Sequence, residues 1–408
     1  MEEEKEIREF GKLVAGLDIG TTKICAVIGE IFDDRVEIIG VGTAASSGMK
    51  KGVVVNIEST VKAIRNAVED ASDMAGCDIE NVYVGIAGNH IKGFNSPGII
   101  AINNQEIREK DIEAVIFAAQ TVKISDNQQI IHVLPQEFMV DDHTGIQNPL
   151  GMAGVRLVTN VHIVTADNTA LHNLVTSCNR AGLAVSEIVL ESVASSHTVL
   201  NKDEMELGVA LLDIGGGTTD LAIFCNGTIK HTWELALGGN NLTSDLSVGL
   251  RTPLLEAEEL KYLYGGALSS MIKDNHIIEV PTVGDRKPRK VSQRVMVEIL
   301  EARMEEILQM VNKNICSSGY RNRINAGMVI TGGTALLANI VEMSEQVFDL
   351  PVRIAYPQGI EGRVEDVKSP RCTTGVGLVL YGSKANQGSY KESGGVVNRL
   401  KSWVKNIV

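Results

Sequence analysis

Two stretches of this 408-residue sequence carry side chains whose types and spacing can do chemistry: GLDIGTTKICAVIGE at 16–30 and ALLDIGGGTTDLAIF at 210–224. Each reads as an apolar run, then Asp-Ile-Gly, then a Gly/Thr turn, then a second apolar run. Gly20, Gly215, Gly216 and Gly217 let the backbone turn tightly and present its N–H groups to an oxyanion. The hydroxyls of Thr21, Thr22, Thr218 and Thr219 and the ammonium of Lys23 add donors. Asp18 and Asp213 can orient a Mg2+ ion, which prefers to keep several of its waters. The chemistry implied is polyphosphate binding. In a P-loop or Rossmann fingerprint the glycines open a helix, whereas ICAVI and LAIF here predict returning strands, and no G-x-x-x-x-G-K-[ST] occurs. Each Asp-Ile-Gly alone is also an ordinary hairpin turn; two matched copies nearly two hundred residues apart weigh against that reading.

Two further groups belong with these loops. VITGGTALL at 329–337 predicts a strand, the pair Gly332 and Gly333, then a helix, an arrangement that lets a nucleotide come close to the backbone. Glu258 and Lys261 stand three apart on a helical pattern and so share a face. A plain surface ion pair is the competing reading of that pair.

The elements that must position these residues follow from periodicity. Strands are expected at 36–41, 82–87, 161–165, 209–224 and 352–355. Helices are expected at 57–75 (stopped by Gly76), 105–122, 168–181 (stopped by Gly182), 255–264 and 292–317. The texture changes between about 88 and 160, where short strands and a Pro/Gly/Asn-rich loop suggest a module inserted into the first half. With 44% hydrophobic but only 4% aromatic residues, the core should be aliphatic. A net charge of −13 argues against a general nucleic-acid binder, which needs a basic face. Six scattered cysteines fit neither a disulfide framework nor a zinc site. No signal peptide and no run of the ~20 apolar residues of a spanning helix is visible, so a soluble, cytoplasmic body is expected.

The last segment breaks this acidic pattern. In GGVVNRLKSWVKNIV (394–408), Val396, Val397, Leu400, Trp403, Val404, Ile407 and Val408 fall within an arc of about 140° at ~100° per residue. Arg399, Lys401 and Lys405 lie on the other face, with no acidic residue. Such a helix is too short to span a bilayer and suits lying in its headgroup plane against anionic lipid. Docking on the protein's own core is the alternative, opposed by the Gly/Ser-rich linker at 384–395 and the uniformly basic face. Basic residues contribute about 1 kcal/mol each near such a surface, so stable attachment needs several tails on one assembly. A second basic cluster, Arg286, Lys287, Arg289, Lys290 and Arg294, with Arg303 on the helix beyond, could receive an acidic peptide or be an exposed loop without a partner.

The three glycine motifs, in this order, resemble phosphate loop one, phosphate loop two and the adenosine motif of the superfamily of actin, sugar kinases and heat-shock chaperones. The resemblance sharpens to the bacterial FtsA family in GVVVNIESTVKAIRNAVEDASDMAG, in HVLPQEFMVDD with GIQNPLGMAGVRL, and in ELGVALLDIGGGTTDLAIF. It spans about residues 16–382 and resumes in the tail. It implies an α/β, actin-like (duplicated ribonuclease H-like) fold, with two lobes around a cleft for Mg–ATP and an inserted 1C (SHS2) subdomain. The implied subdomains are 1A (13–86, 163–194 and 361–383), 1C (87–162), 2A (195–245 and 326–360) and 2B (246–325), then the linker and a membrane helix at 396–408.

The resemblance also implies roles. Glu191, in AGLAVSEIVLESVASS, stands where relatives orient the attacking water, so slow ATP turnover is conceivable beside ATP binding. Glu258 and Lys261 would flank the adenosine, and CTTGVGLVL at 372–380 would be the second interdomain connection. Residues of 2B, with Lys290, Arg294 and Arg303 as candidates, would bind the C-terminal peptide of FtsZ. The 1C subdomain would mediate polymer contacts and meet later division proteins, with the whole on the cytoplasmic face of the membrane at the division septum. Thr334 departs from the superfamily pattern, which often has a third glycine there. A PilM-type pilus protein, a sugar kinase and a chaperone are the competing readings. The first would not carry this tail, and the others lack a hexose-site signature or a substrate domain.

Overall fold

A computed structural model describes residues 11–387, apart from 33–34, 105 and 285–286. The tail residues Val396, Val397, Arg399, Leu400, Lys401, Trp403, Val404, Lys405, Ile407 and Val408, and Arg286 of the basic cluster, lie outside the described residues.

Both glycine turns close antiparallel hairpins. Lys12–Ile19 pairs with Lys23–Phe32, Ile19 opposite Ile24. Val209–Ile214 pairs with Thr219–Cys225, Ile214 opposite Thr219. These strands are apolar on both faces and nearly all buried, because each hairpin sits inside a sheet covered on two sides. The first sheet runs Ala184–Leu190, Asn81–Ile86, Lys12–Ile19, Lys23–Phe32, Arg35–Ala45 and the short Glu361–Gly362. The second runs Thr228–Leu235, Thr219–Cys225, Val209–Ile214, Met328–Thr331 and Val352–Ile354. In each, three antiparallel strands are followed by parallel strands added beside the first. The internal repeat is thus one topology used twice, once per lobe.

Helices pack where the caps in the sequence place them. Ile57–Ala75 starts at Asn56, whose side chain accepts from the Ser59 amide at 3.0 Å, and ends at Gly76 in the left-handed conformation. Asn168–Ala181 is capped by Asp167 and stopped by Gly182 in the same way. Two helices connect the lobes, Glu191–Val199 and Thr373–Gln387. They cross where Gly377 faces the Ala194 carbonyl so closely that any Cβ would overlap it. The second of them includes residues 384–387, which composition assigns to the linker; Lys384 and Ala385 are good helix formers, and Lys384 Nζ reaches His197 at 3.1 Å.

The inserted module is a four-stranded sheet in the order Lys92–Ala101, Arg156–Asp167, Gln128–Val140, His143–Ile146. Its helix is Glu109–Gln120, shorter at both ends than the pattern at 105–122 implies. Ile112, Val115, Ile116, Phe138, Leu157 and Ile163 form its own core, which marks it as a separate folding unit. In the second lobe, Gln293–Ser318 packs beneath Gly239–Leu250 and beside the hairpin Ile277–Val280/Arg289–Ser292.

Candidate functional site

The two hairpin turns face each other across the lobes. A Cβ on Gly216 would overlap Thr22 Oγ1, and one on Gly217 would come within 2.7 Å of Thr21 Cβ. Thr22 Oγ1 also lies 3.4 Å from Asn240 Oδ1, and Thr21 Oγ1 accepts from the Gly52 amide at 3.2 Å. The second turn is tied down from behind, since Gly239 and Asn240 amides donate to the carbonyls of Gly215 and Gly216 at 2.9 and 2.8 Å.

Behind the turns the strands deliver carboxylates. Asp18 and Asp213 stand at the ends of their strands and are 8% and 5% exposed, little enough that an ionised carboxylate is costly there. Burial, opposed by Lys23 and reinforced by Asp220, pushes Asp18 up to about 6. Burial with Asp220 and Asp18 pushes Asp213 up to about 7, although Ser195 and Thr374 hydroxyls donate to its Oδ2 at 3.1 and 3.3 Å. Glu191, first residue of its helix, is driven well above the usual carboxylate range by loss of solvation and then by Asp18, Asp220 and Asp213. This is a set of hard oxygen donors crowded by like charge, and a divalent cation relieves that crowding. Among the described residues no group of three or more His, Cys, Asp or Glu is placed to ligate a metal directly. Two facing carboxylates that hold a hydrated Mg2+ through its waters fit this donor set. The turns, with amides and threonine hydroxyls in front of that ion, can take phosphate oxygens.

Gly332 completes the wall of the cleft. Its φ of +87° is one that L side chains rarely adopt, and a Cβ there would overlap Asp213 Oδ1. The helix expected directly after Gly333 is instead a short 3-10 turn, Gly333–Leu336, with the α-helix beginning at Ile340. Thr334 stands in that turn and donates to the Gly215 carbonyl at 2.9 Å, so the departure from a third glycine fastens this motif to the second glycine turn. Lys261 is mostly buried, its Nζ 2.7 Å from Glu258 Oε2, 2.7 Å from Thr243 Oγ1 and 3.1 Å from the Gly239 carbonyl. The pair therefore lines the cleft side of Gly239–Leu250, with Glu258 still half exposed.

Other residues fall elsewhere. Lys23 turns inward, its Nζ 3.8 Å from Cys372 Sγ. The Cys25 thiol donates toward Cys372 and, with Lys23 nearby, pulls it down to about 6. Lys290 and Arg294 are exposed on the hairpin Ile277–Val280/Arg289–Ser292 and at the helix start beyond it, apart from the cleft and on the same stretch as exposed Ile277, Val283 and Val295. Arg303 is held by Asp245 and Glu306, so its charge is already answered within the chain. Sequence reasoning overlooked Ser195, Thr374, Asn240, Thr243, Asp220 and Glu234. Of these only Asp220 was in plain view, closing DIGGGTTD; Glu234 pairs with it across the neighbouring strands.

A sequence model described as "Cell division protein FtsA" matches residues 210–377, and one described as "SHS2 domain inserted in FTSA" matches residues 88–165. The cell division protein FtsA of Pseudomonas aeruginosa is 45% identical over 410 residues, covering 97% of this chain and 98% of that one. The chain belongs to the FtsA family of cell division proteins. The Escherichia coli FtsA is 38% identical over 405 residues, covering 97% and 96% of the two chains. Among solved structures, the PilM–PilN type IV pilus biogenesis complex superposes with a TM-score of 0.65 at 14% identity, covering 90% of this chain and 98% of that one. MreB5 of Spiroplasma citri bound to ADP gives 0.55 at 15% identity, covering 92% and 98%. At such identities the structural likeness speaks for the fold alone. The fold is the actin-like one expected, and the FtsA-type SHS2 insertion falls on the module with its own core.

Proposed function

We propose that this FtsA-family chain binds Mg–ATP between its two hairpin turns, assembles with its own copies on the cytoplasmic face of the cell membrane, and ties the FtsZ ring to that membrane. The observation that carries the nucleotide reading is the meeting of Thr21 and Thr22 with Gly216 and Gly217, backed by Asp18 and Asp213. Lys261 and Glu258 border the base side, and Gly332 and Gly333 let the nucleotide approach. The solved structure of the fold neighbour MreB5 holds ADP, which favours a nucleotide here. Burial and then Asp18, Asp220 and Asp213 hold the Glu191 carboxyl well above the usual carboxylate range; a cation among these groups would relieve that, with Glu191 as the candidate to orient the attacking water. That suits a site used mainly as an assembly switch with slow turnover.

No described helix is long and apolar enough to cross a membrane, and the proposed attachment is the amphipathic 396–408 segment. Trp403→Glu is expected to abolish co-sedimentation with anionic liposomes while thermal stabilisation by Mg–ATP persists. Lipid binding equal to wild type overturns the anchor. Subdomain 1C, proposed at 87–162, would receive later division proteins, and 2B, at 246–325, the FtsZ peptide. Because Arg303 is internally paired, the exposed Lys290 and Arg294 are the better candidates for the peptide. Charge reversal of both is expected to weaken binding of an FtsZ tail peptide at least tenfold, read by fluorescence anisotropy, without changing liposome binding. Unchanged peptide affinity moves the site elsewhere.

A further inference from the structure

The inserted module is part of the first lobe by chain connection, yet its most elaborate side-chain contacts are with the second. Asn95, Gln136 and His162, from three module strands, converge on the edge strand Thr228–Leu235 of the second sheet. Asn95 Nδ2 donates to the Lys230 carbonyl at 3.0 Å, and Gln136 Nε2 to the Ile229 carbonyl at 2.7 Å. His162 has Nδ1 2.8 Å from Asn95 Oδ1 and Nε2 2.9 Å from Thr232 Oγ1. An amide oxygen can only accept, so Nδ1 carries the proton and the neutral ring takes the threonine hydroxyl at Nε2. Beside this, Lys230 Nζ and Asn226 Nδ2 both bond Glu137 Oε1, at 2.8 and 2.7 Å. His162 is 1% exposed, and Thr232 and Lys230 are nearly as buried, so separating the surfaces would strand several polar groups. The close approach depends on Gly93, where a Cβ would overlap Thr232 Oγ1 and lie 2.9 Å from His162 Nε2.

The module also holds the first lobe at a second point, where the Leu190 amide donates to His132 Nε2 at 2.9 Å, one residue before Glu191. The edge strand, in turn, alternates its side chains with a period of two. Thr232 and Glu234 therefore share a face, and Lys230 stands at a bulge just before them; Lys230 and Thr232 meet the module, and Glu234 meets Asp220 behind the second glycine turn.

We propose that this clasp makes the module a bridge between the lobes, so that the state of the nucleotide cleft and the conformation of the inserted module are thermodynamically coupled through the strand Thr228–Leu235. The inference rests on the nucleotide reading given above and adds to it the route by which the cleft reaches the module. Relative rotation of the lobes must either carry the module with the second lobe or break the clasp. Coupling of this kind is reciprocal: whatever binds the module and favours the closed cleft is itself favoured by nucleotide.

The test is amide hydrogen exchange on the full chain, read by mass spectrometry with and without Mg–ATP, with nucleotide binding measured separately by equilibrium dialysis. In the wild type, nucleotide is expected to slow exchange at least fivefold in 209–219, in 229–235 and in the module segments 92–101 and 132–137. In Gly93→Ala, and in the isosteric Thr232→Val, the slowing at 209–219 should persist while the module's response disappears. A module that responds equally in variant and wild type overturns the proposal, as does a wild-type module that ignores demonstrably bound nucleotide. Without nucleotide, Gly93→Ala should speed exchange in both 229–233 and 92–96 by about tenfold, and no change there also overturns the clasp. Absence of binding in the dialysis defeats the nucleotide reading instead, leaving the nucleotide-free comparison to judge the clasp.

Discussion

Asp213→Asn should make the nucleotide-free protein more stable at pH 8 while removing its response to Mg–ATP. Burial, Asp220 and Asp18 raise the Asp213 carboxyl to about 7. The folded protein thus holds that proton more tightly than the unfolded chain, where the group titrates near 3.8. Stability is lost as pH climbs through this interval, and the full cost is present above pH 7. At 1.36 kcal/mol per unit the shift corresponds to a cost on the order of 4 kcal/mol. Asparagine carries no charge at any pH and still accepts from Ser195, so the gain should be largest at pH 8 and vanish near pH 4. Ligand present at a hundred times its dissociation constant stabilises a binding protein by about 2.7 kcal/mol; the wild type should show this shift and the variant none. Thermal melts at pH 4, 6 and 8, with and without Mg–ATP, give all the comparisons. A variant less stable than wild type at pH 8 would mean that Asp213 is satisfied without a cation.

Gly217→Ala is the second substitution with a large effect, because the added methyl meets Thr21 across the lobes. Its Cβ would overlap Thr21 Oγ1 and lie 2.7 and 2.8 Å from Thr21 Cβ and Cγ2. Overpacking of this kind costs about 1–3 kcal/mol, and here it acts between two rigid hairpins, so nucleotide affinity should fall at least tenfold as the turns separate. Thr21→Gly removes all three obstructing atoms. The double variant is expected to be more stable than the sum of the single effects allows, with an interaction energy of about 1 kcal/mol or more from a double-mutant cycle in urea. Strict additivity would show that the turns do not touch in solution.

The two hairpins were legible because their signal is local: glycine and threonine at the turn, β-branched residues returning after it. The helix ends at Gly76 and Gly182 were legible for the same reason. What escaped notice depends on chain segments far apart in sequence. Ser195 and Thr374 share the Asp213 carboxylate although Thr374 is 161 residues away. Cys372 comes to Lys23 across 349 residues, and nothing near either residue announces it. Arg303 read as a free cation because Asp245, which pairs with it, lies 58 residues upstream on another helix. Glu234 lies outside every strand expected from the sequence, and only strand pairing sets it opposite Asp220.

The return of the chain to the first lobe has a consequence for biosynthesis. The apolar face formed by Val14, Cys25, Val27, Val36 and Ile38 is covered by Val367, Cys372, Val376, Val379 and Leu380. A ribosome making this protein releases that face some three hundred residues before its cover. Domains generally fold as units while the chain is made, so the second lobe can mature on the ribosome while the first waits, sticky and incomplete. A nascent chain stalled before residue 370 should therefore be protease-sensitive in its N-terminal half and resistant around 209–350. Completion of the first lobe therefore waits on the helix Thr373–Gln387.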